Sequence, residues 1–172
     1  MSRAFVRDSD DRPELPIARQ PSALPAGAKN YLTPDGAERL RRELRRAVEE
    51  ERPALAGASE DPDAKRRLLA LDQPIQQLEQ SLQSAEVVAA SVGPADAVRF
   101  GATVTVRRAN GDEDDYRIVG VDEIDLDRSW VSWASPIAKA LLNAKLGDRV
   151  RFRFPAGEEQ LEVVKISYEA DV

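Results

Sequence analysis

Residues 68–85, Leu-Leu-Ala-Leu-Asp-Gln-Pro-Ile-Gln-Gln-Leu-Glu-Gln-Ser-Leu-Gln-Ser-Ala, place apolar side chains in alternating steps of three and four: Leu68, Leu71, Ile75, Leu78, Leu82 and Ala85, with Ala89 continuing the series. That spacing lays one apolar stripe along a helix and demands a partner stripe of the same period. Upstream, Ala37, Leu40, Leu44, Val48 and Leu55 supply it, with Glu51 interrupting. Turning the chain near residue 63 sets Leu55 opposite Leu71, Val48 opposite Leu78 and Leu44 opposite Leu82, so the stripes meet in one register. Both helix starts carry local signals. Thr33 and Asp61 can cap free backbone donors, Pro34 and Pro62 sit at the first helical position, and Asp35 and Asp63 favour the positive end of the dipole. Arms of about 26 residues would reach roughly 40 Å. Pro53 and Pro74 fall inside the arms, face each other in this register, and each costs about 3 kcal/mol in a regular helix. One shared bend is expected. The alternative ends the first helix before Pro53 and leaves an irregular tip of about 12 residues.

Outward from the hairpin the pattern changes. Residues 1–30 hold Pro13, Pro16, Pro21 and Pro25 without apolar periodicity and read as a mobile tail in which Phe5 and Val6 stand alone. From Arg99 the period becomes two: Phe100 to Val106 and Tyr116 to Val121 flank Asn110-Gly111, a hairpin turn. After Trp130 to Ala134, Ser135 caps a short helix opened by Pro136 and carrying Ile137, Leu141 and Leu142, with Gly147 past its end. Val150, Phe152 and Phe154 then alternate with Arg149, Arg151 and Arg153, and Pro155-Ala156-Gly157 turns into a last strand, Leu161 to Tyr168. The expected fold class is therefore α+β: a tail (1–30), an N-terminal antiparallel α-helical coiled-coil hairpin (31–92), and an antiparallel β-sheet domain with one short helix (93–172), joined at Gly93-Pro94.

Composition removes several functions. The 172 residues include no His and no Cys, which excludes Cys or His zinc sites, His-based nucleophile pairs and thiol chemistry. Lys plus Arg number 25 against 31 Asp plus Glu, a net charge of -6. The balance is +1 over 1–32, -3 over 33–90, -1 over 91–98 and -3 over 99–172, so no segment is a basic module built to neutralise bare nucleic acid. No apolar run approaches the roughly 20 residues that span a bilayer, and no signal peptide is evident, so a cytoplasmic protein without membrane attachment is expected.

Leu32-Thr33-x-x-Gly36-x-x-x-Leu40-x-x-Glu43-Leu44 resembles the opening of the first helix in the bacterial Gre transcript-cleavage factors, and Arg52-Pro53 falls where that family also has Arg-Pro. Phe100-Gly101-Ala102-Thr103-Val104-Thr105-Val106, Tyr116-Arg117-Ile118-Val119-Gly120, Ser135-Pro136-Ile137-Ala138-x-Ala140-Leu141, Gly147-Asp148 and Pro155-x-Gly157 follow its C-terminal domain in order, and Met1 to Val6 is similar to the start of GreB-type chains. The resemblance implies an FKBP-like C-terminal domain that docks on RNA polymerase beside the secondary channel, and a hairpin that enters the channel. Acids at its tip would help hold a Mg²⁺ ion shared with the polymerase active site. Such a factor is not an enzyme by itself. It would act as a monomer, and would meet nucleic acid only inside the polymerase complex.

The tip departs from the family's pattern. The motif of the form Gly-Asp-x-x-Glu-Asn-Ala-Glu-Tyr is absent, and the stretch between Pro53 and Ile75 is shorter by about 13 residues, roughly 10 Å of reach per arm. The acids present there are Glu60, Asp61 and Asp63, candidates for the shared metal or, alternatively, simple helix capping. Lys65, Arg66 and Arg67 lie in the first helical turn, where the dipole disfavours cations; they are candidate tip contacts to polymerase or nucleic acid, or partners of those acids. Trp133, Ser135, Pro136 and Ile137 are the candidate polymerase-binding residues, although Trp130 and Trp133 could equally cover a small core. The Arg residues of the first helix, interleaved with Glu, form either a basic face near RNA or a solvated face of i,i+4 pairs. The rival functions are a non-cleaving or inhibitory Rnk-like polymerase regulator, a prolyl isomerase by fold analogy, and a coiled-coil scaffold.

Overall fold

The computed structural model describes residues 24–58, 60–89 and 95–168. The tail residues Phe5 and Val6, the Met1 to Val6 resemblance and the Gly93-Pro94 joint lie outside them. In chain order come β1 (Asn30–Leu32), α1 (Pro34–Arg46), a π-helical turn (Ala47–Glu51), α2 (Arg52–Gly57), α3 (Pro62–Ser84), β2 (Ala85–Val87), β3 (Ala102–Arg107), β4 (Glu113–Val119), a 3₁₀ turn (Val121–Glu123), β5 (Trp130–Ser132), α4 (Pro136–Leu141), β6 (Arg149–Phe154) and β7 (Gly157–Tyr168).

The helical hairpin forms as the stripes require. Thr33 Oγ1 accepts from Gly36 N at 3.0 Å and Asp61 Oδ1 from Asp63 N at 2.9 Å, each capping its helix. Leu40, Leu44, Leu78 and Leu82 share one apolar cluster with Leu32 and Ala37. Farther out, Arg52 Nη2 lies 3.3 Å from Asp72 Oδ1, which holds the arms in nearly the expected register. The 23 residues of α3 make an arm about 35 Å long.

Helix continues past Pro53 to Gly57, as a continuous arm requires, so the alternative irregular tip does not form. Three details differ from the expectation. The two prolines do not share a bend: α3 runs through Pro74, and the adjustment falls on the first arm alone. There Arg52 N bonds to Ala47 O, one residue farther back than in an α-helix, and the widened turn gives the Pro53 ring room beside the preceding carbonyls. Three residues past Leu44, Ala47 (6% exposed) and not Val48 (38%) lies on the seam. The second helix stops at Ser84 rather than running to Ala89, because residues 85–87 leave as β2 and pair in parallel with β1, Asn30 opposite Ala85 and Leu32 opposite Val87. Neither segment is long enough to show strand periodicity in the sequence.

The second unit is a five-stranded sheet in the order β5-β4-β3-β7-β6. It is mixed, not purely antiparallel, because β5 joins β4 in parallel. A register shift between Thr105 and Val106 on β3 against β7 marks a bulge that curls the sheet. The loop after β3 closes with Arg108 N bonded to Asp112 O; Gly111 alone takes positive φ (90°), so Asn110 instead accepts from Asp112 N through its side chain. Ser135 Oγ accepts from Ala138 N at the start of α4, and Asn143 (φ 68°), ahead of Gly147, takes the left-handed position after its end. Ile137, Ala138 and Leu141 of α4 pack on Val98, Val104, Val106, Ile118, Leu161 and Val163 to make the core.

Candidate interaction sites at the tip and the base of the hairpin

At the tip, Glu60, Asp61, Asp63, Lys65, Arg66 and Arg67 are all exposed. Asp61 is engaged with the α3 amide of Asp63, and Asp63 Oδ1 lies 3.4 Å from Arg66 Nη1. Among the described residues no three acids converge into a group that could hold a metal ion. The tip acids therefore do not fit a resident magnesium site. Arg66 turns back on Asp63, an acid of the same first turn, in i,i+3 geometry, which offsets part of the dipole penalty on its first-turn position. The first helix likewise pairs within itself, Arg41 with Glu38 at 2.8 Å and Arg46 with Glu51 at 3.1 Å, as a solvated face would.

The expected docking residues divide. Pro136 is exposed, Ser135 is half-buried and spends its hydroxyl on the cap, and Ile137 belongs to the core at 8% exposure. Trp133 is half-buried and meets the Tyr31 ring edge-on at 5.6 Å, and Tyr31 also touches Phe100 at 5.9 Å. Trp130 sits 5.5 Å from the Arg39 guanidinium of α1 and 4.8 Å from that of Arg117 on β4, with Arg128 at 5.3 Å. Both tryptophans thus join the hairpin base to the sheet. Two apolar side chains that sequence reasoning missed stand in water on the loop entering β5: Leu126 at 82% and Ile124 at 50% exposure. The available signal was their placement among the acids Asp122, Glu123, Asp125 and Asp127.

Glu123 was also missed. It is fully buried, a placement that demands hydrogen-bonding partners for its carboxyl group. Oε2 accepts from Thr33 N at 2.9 Å and Gly120 N at 2.8 Å, and Oε1 accepts from the Thr33 hydroxyl, which itself accepts from Gly36 N. A Cβ on Gly36 would fall 1.8 Å from Oε1, and one on Gly120 2.1 Å from the Tyr31 carbonyl, so both glycines are required by close approach. Alongside, Asn30 Nδ2 reaches Ser81 O, Ser84 Oγ and Asp122 Oδ2, each at 3.2 Å, tying β1 to α3 and to the 3₁₀ turn. At the outer edge Lys29 pairs with Glu86 at 2.8 Å, which raises the lysine pKa by hydrogen bonding. On the sheet side Tyr168 accepts from Arg99 N and donates to Ala97 O; burial pushes its hydroxyl pKa up.

A capped helical hairpin fixed at its base to a small curled sheet defines a two-part protein, one part extended and one compact. Residues 93–168 match the family model described as transcription elongation factor, GreA/GreB, C-term. Transcription elongation factor GreB of Neisseria meningitidis serogroup A is 40% identical over 154 residues, covering 81% of this chain and 94% of that protein. Transcription elongation factor GreA of Trichlorobacter lovleyi is 38% identical over 152 residues, covering 80% and 96%. Among solved structures, the GreA factor homolog 1 (Gfh1) protein of Thermus thermophilus is 26% identical, with 81% and 99% coverage and a TM-score of 0.39. The chain belongs to the GreA/GreB family of transcription elongation factors. The Neisseria alignment spans 154 positions but about 139 residues of this chain, so that relative carries about 15 residues with no counterpart here.

Proposed function

We propose that this protein is a Gre-type regulator that binds RNA polymerase through its FKBP-like sheet domain at the secondary channel, inserts a short coiled-coil hairpin, and does not stimulate transcript cleavage. The observation that carries the reading is the tip. Asp61 caps α3 and Asp63 pairs with Arg66 instead of converging on a common point, and the missing tip motif implies arms, here about 35 Å, shorter than those of the cleavage factors. Metal ligation tolerates errors of only tenths of an Å, so a tip short by several Å cannot complete a shared metal site from the same docking pose. The hairpin still occupies space. A rod held in a channel alters access to it without chemistry of its own, which makes the protein a non-enzymatic, metal-free regulator acting as a monomer in the cytoplasm.

Docking falls to the surface flanking edge strand β5, where Pro136, Leu126 and Ile124 are exposed. Lys65, Arg66 and Arg67 at the tip would meet acids of the channel or the nucleic acid within it. Competition tests the reading: excess protein should displace a fluorescent GreB from purified RNA polymerase, and Pro136→Asp with Leu126→Asp should weaken that competition at least tenfold. Failure of the unsubstituted protein to compete would overturn the proposal.

A further inference from the structure

The base of the hairpin is built as a fixed mount, and one residue holds it. Glu123 belongs to the sheet unit, yet its carboxyl group lies against the first turn of α1 and accepts from both the backbone and the hydroxyl of the capping residue, Thr33. Its other donor, Gly120 N, comes from its own turn, so the carboxyl group bridges the two units. The absence of a side chain at Gly36 and at Gly120 lets the units close to this distance. Around the bridge, Tyr31 on Trp133, Arg39 on Trp130 and Asn30 on Asp122 contact the same interface from three directions.

We propose that Glu123 is a positioning residue that sets the angle of the hairpin on the sheet domain, so that docking the sheet aims the tip. The consequence follows from leverage: with an arm of about 35 Å, a rotation of about 10° at the base sweeps the tip through about 6 Å. Neighbouring contacts at the rim hold the units together but tolerate small rotations, because ring stacking and cation–π contacts have broad geometry. A carboxyl group with three donors does not. The link to transcription rests on the polymerase-binding reading above; the mechanical claim does not.

The chain has no Cys, so two can be introduced cleanly for spin labels, at Arg67→Cys near the tip and Lys165→Cys on β7, both exposed positions. Pulsed electron–electron distance measurements on the free protein should give one narrow distribution. Glu123→Ala should broaden it by several Å while amide-exchange protection across β3, β4 and β7 persists, and Glu123→Gln, which keeps the shape but turns a donor toward donors, should broaden it less. Gly36→Ala, which wedges the joint instead of emptying it, should displace the mean. Distributions in Glu123→Ala and Glu123→Gln as narrow as the parent's, about the same mean, would overturn the proposal. With polymerase, Glu123→Gln should compete with fluorescent GreB as the parent does yet lose its effect on transcription. If neither protein competes, the polymerase reading fails and the distance result still stands.

Discussion

Gly36 admits no side chain, because the space a methyl group would take is filled by the Glu123 carboxyl group. Gly36→Ala should lower unfolding free energy by about 1–3 kcal/mol through overpacking, measured by urea denaturation. Asp61→Ala should act differently: loss of one exposed cap costs about 1 kcal/mol locally, visible as faster amide exchange at residues 63–65 with the sheet amides unchanged. Uniform loss of protection across the molecule would contradict that assignment. Thr33-Pro34 and Asp61-Pro62 were legible in the sequence because cap, proline and amide lie within three residues of one another. Glu123 was not, because its main partner is 90 residues away and nothing local distinguishes it from the neighbouring acids. The same limit applies to Trp130 and Trp133, whose ring partners lie on α1 and β1.

The seam of α3 could be read because heptad spacing is a property of one helix, and every member from Leu68 to Ala85 is at least half-buried. Its partner was read one residue out of place. A step of four from Leu44 gave Val48 the inward position, but the helix buries the residue one step of three onward, Ala47. Leu78→Ala should therefore cost about 2–5 kcal/mol, whereas Val48→Ala should cost less than about 0.5 kcal/mol; equal losses in thermal unfolding would restore Val48 to the seam. In the sheet, alternation and turn residues revealed β3, β4 and β6, since each exposes one face. The β1–β2 pairing and the parallel edge strand β5 escaped notice because three-residue strands carry too little pattern, and their partners are chosen by tertiary contacts.

Together the parts are a compact sheet unit, a joint bridged by Glu123, and a rod that carries charge to its end. The sequence lacks His and Cys and carries a net charge of -6, which fits a protein that reaches nucleic acid only through a partner already holding it. Family membership accounts for the architecture, and the proposed function turns on the tip. Its central claim, occupancy without cleavage, is tested most directly on a stalled, backtracked RNA polymerase complex with end-labelled transcript and Mg²⁺. At protein concentrations that saturate binding, the account predicts transcript lengths identical to those without protein. Shortening of the transcript that disappears in the Asp61→Ala/Asp63→Ala variant would contradict it and assign the tip acids a cleavage role after all.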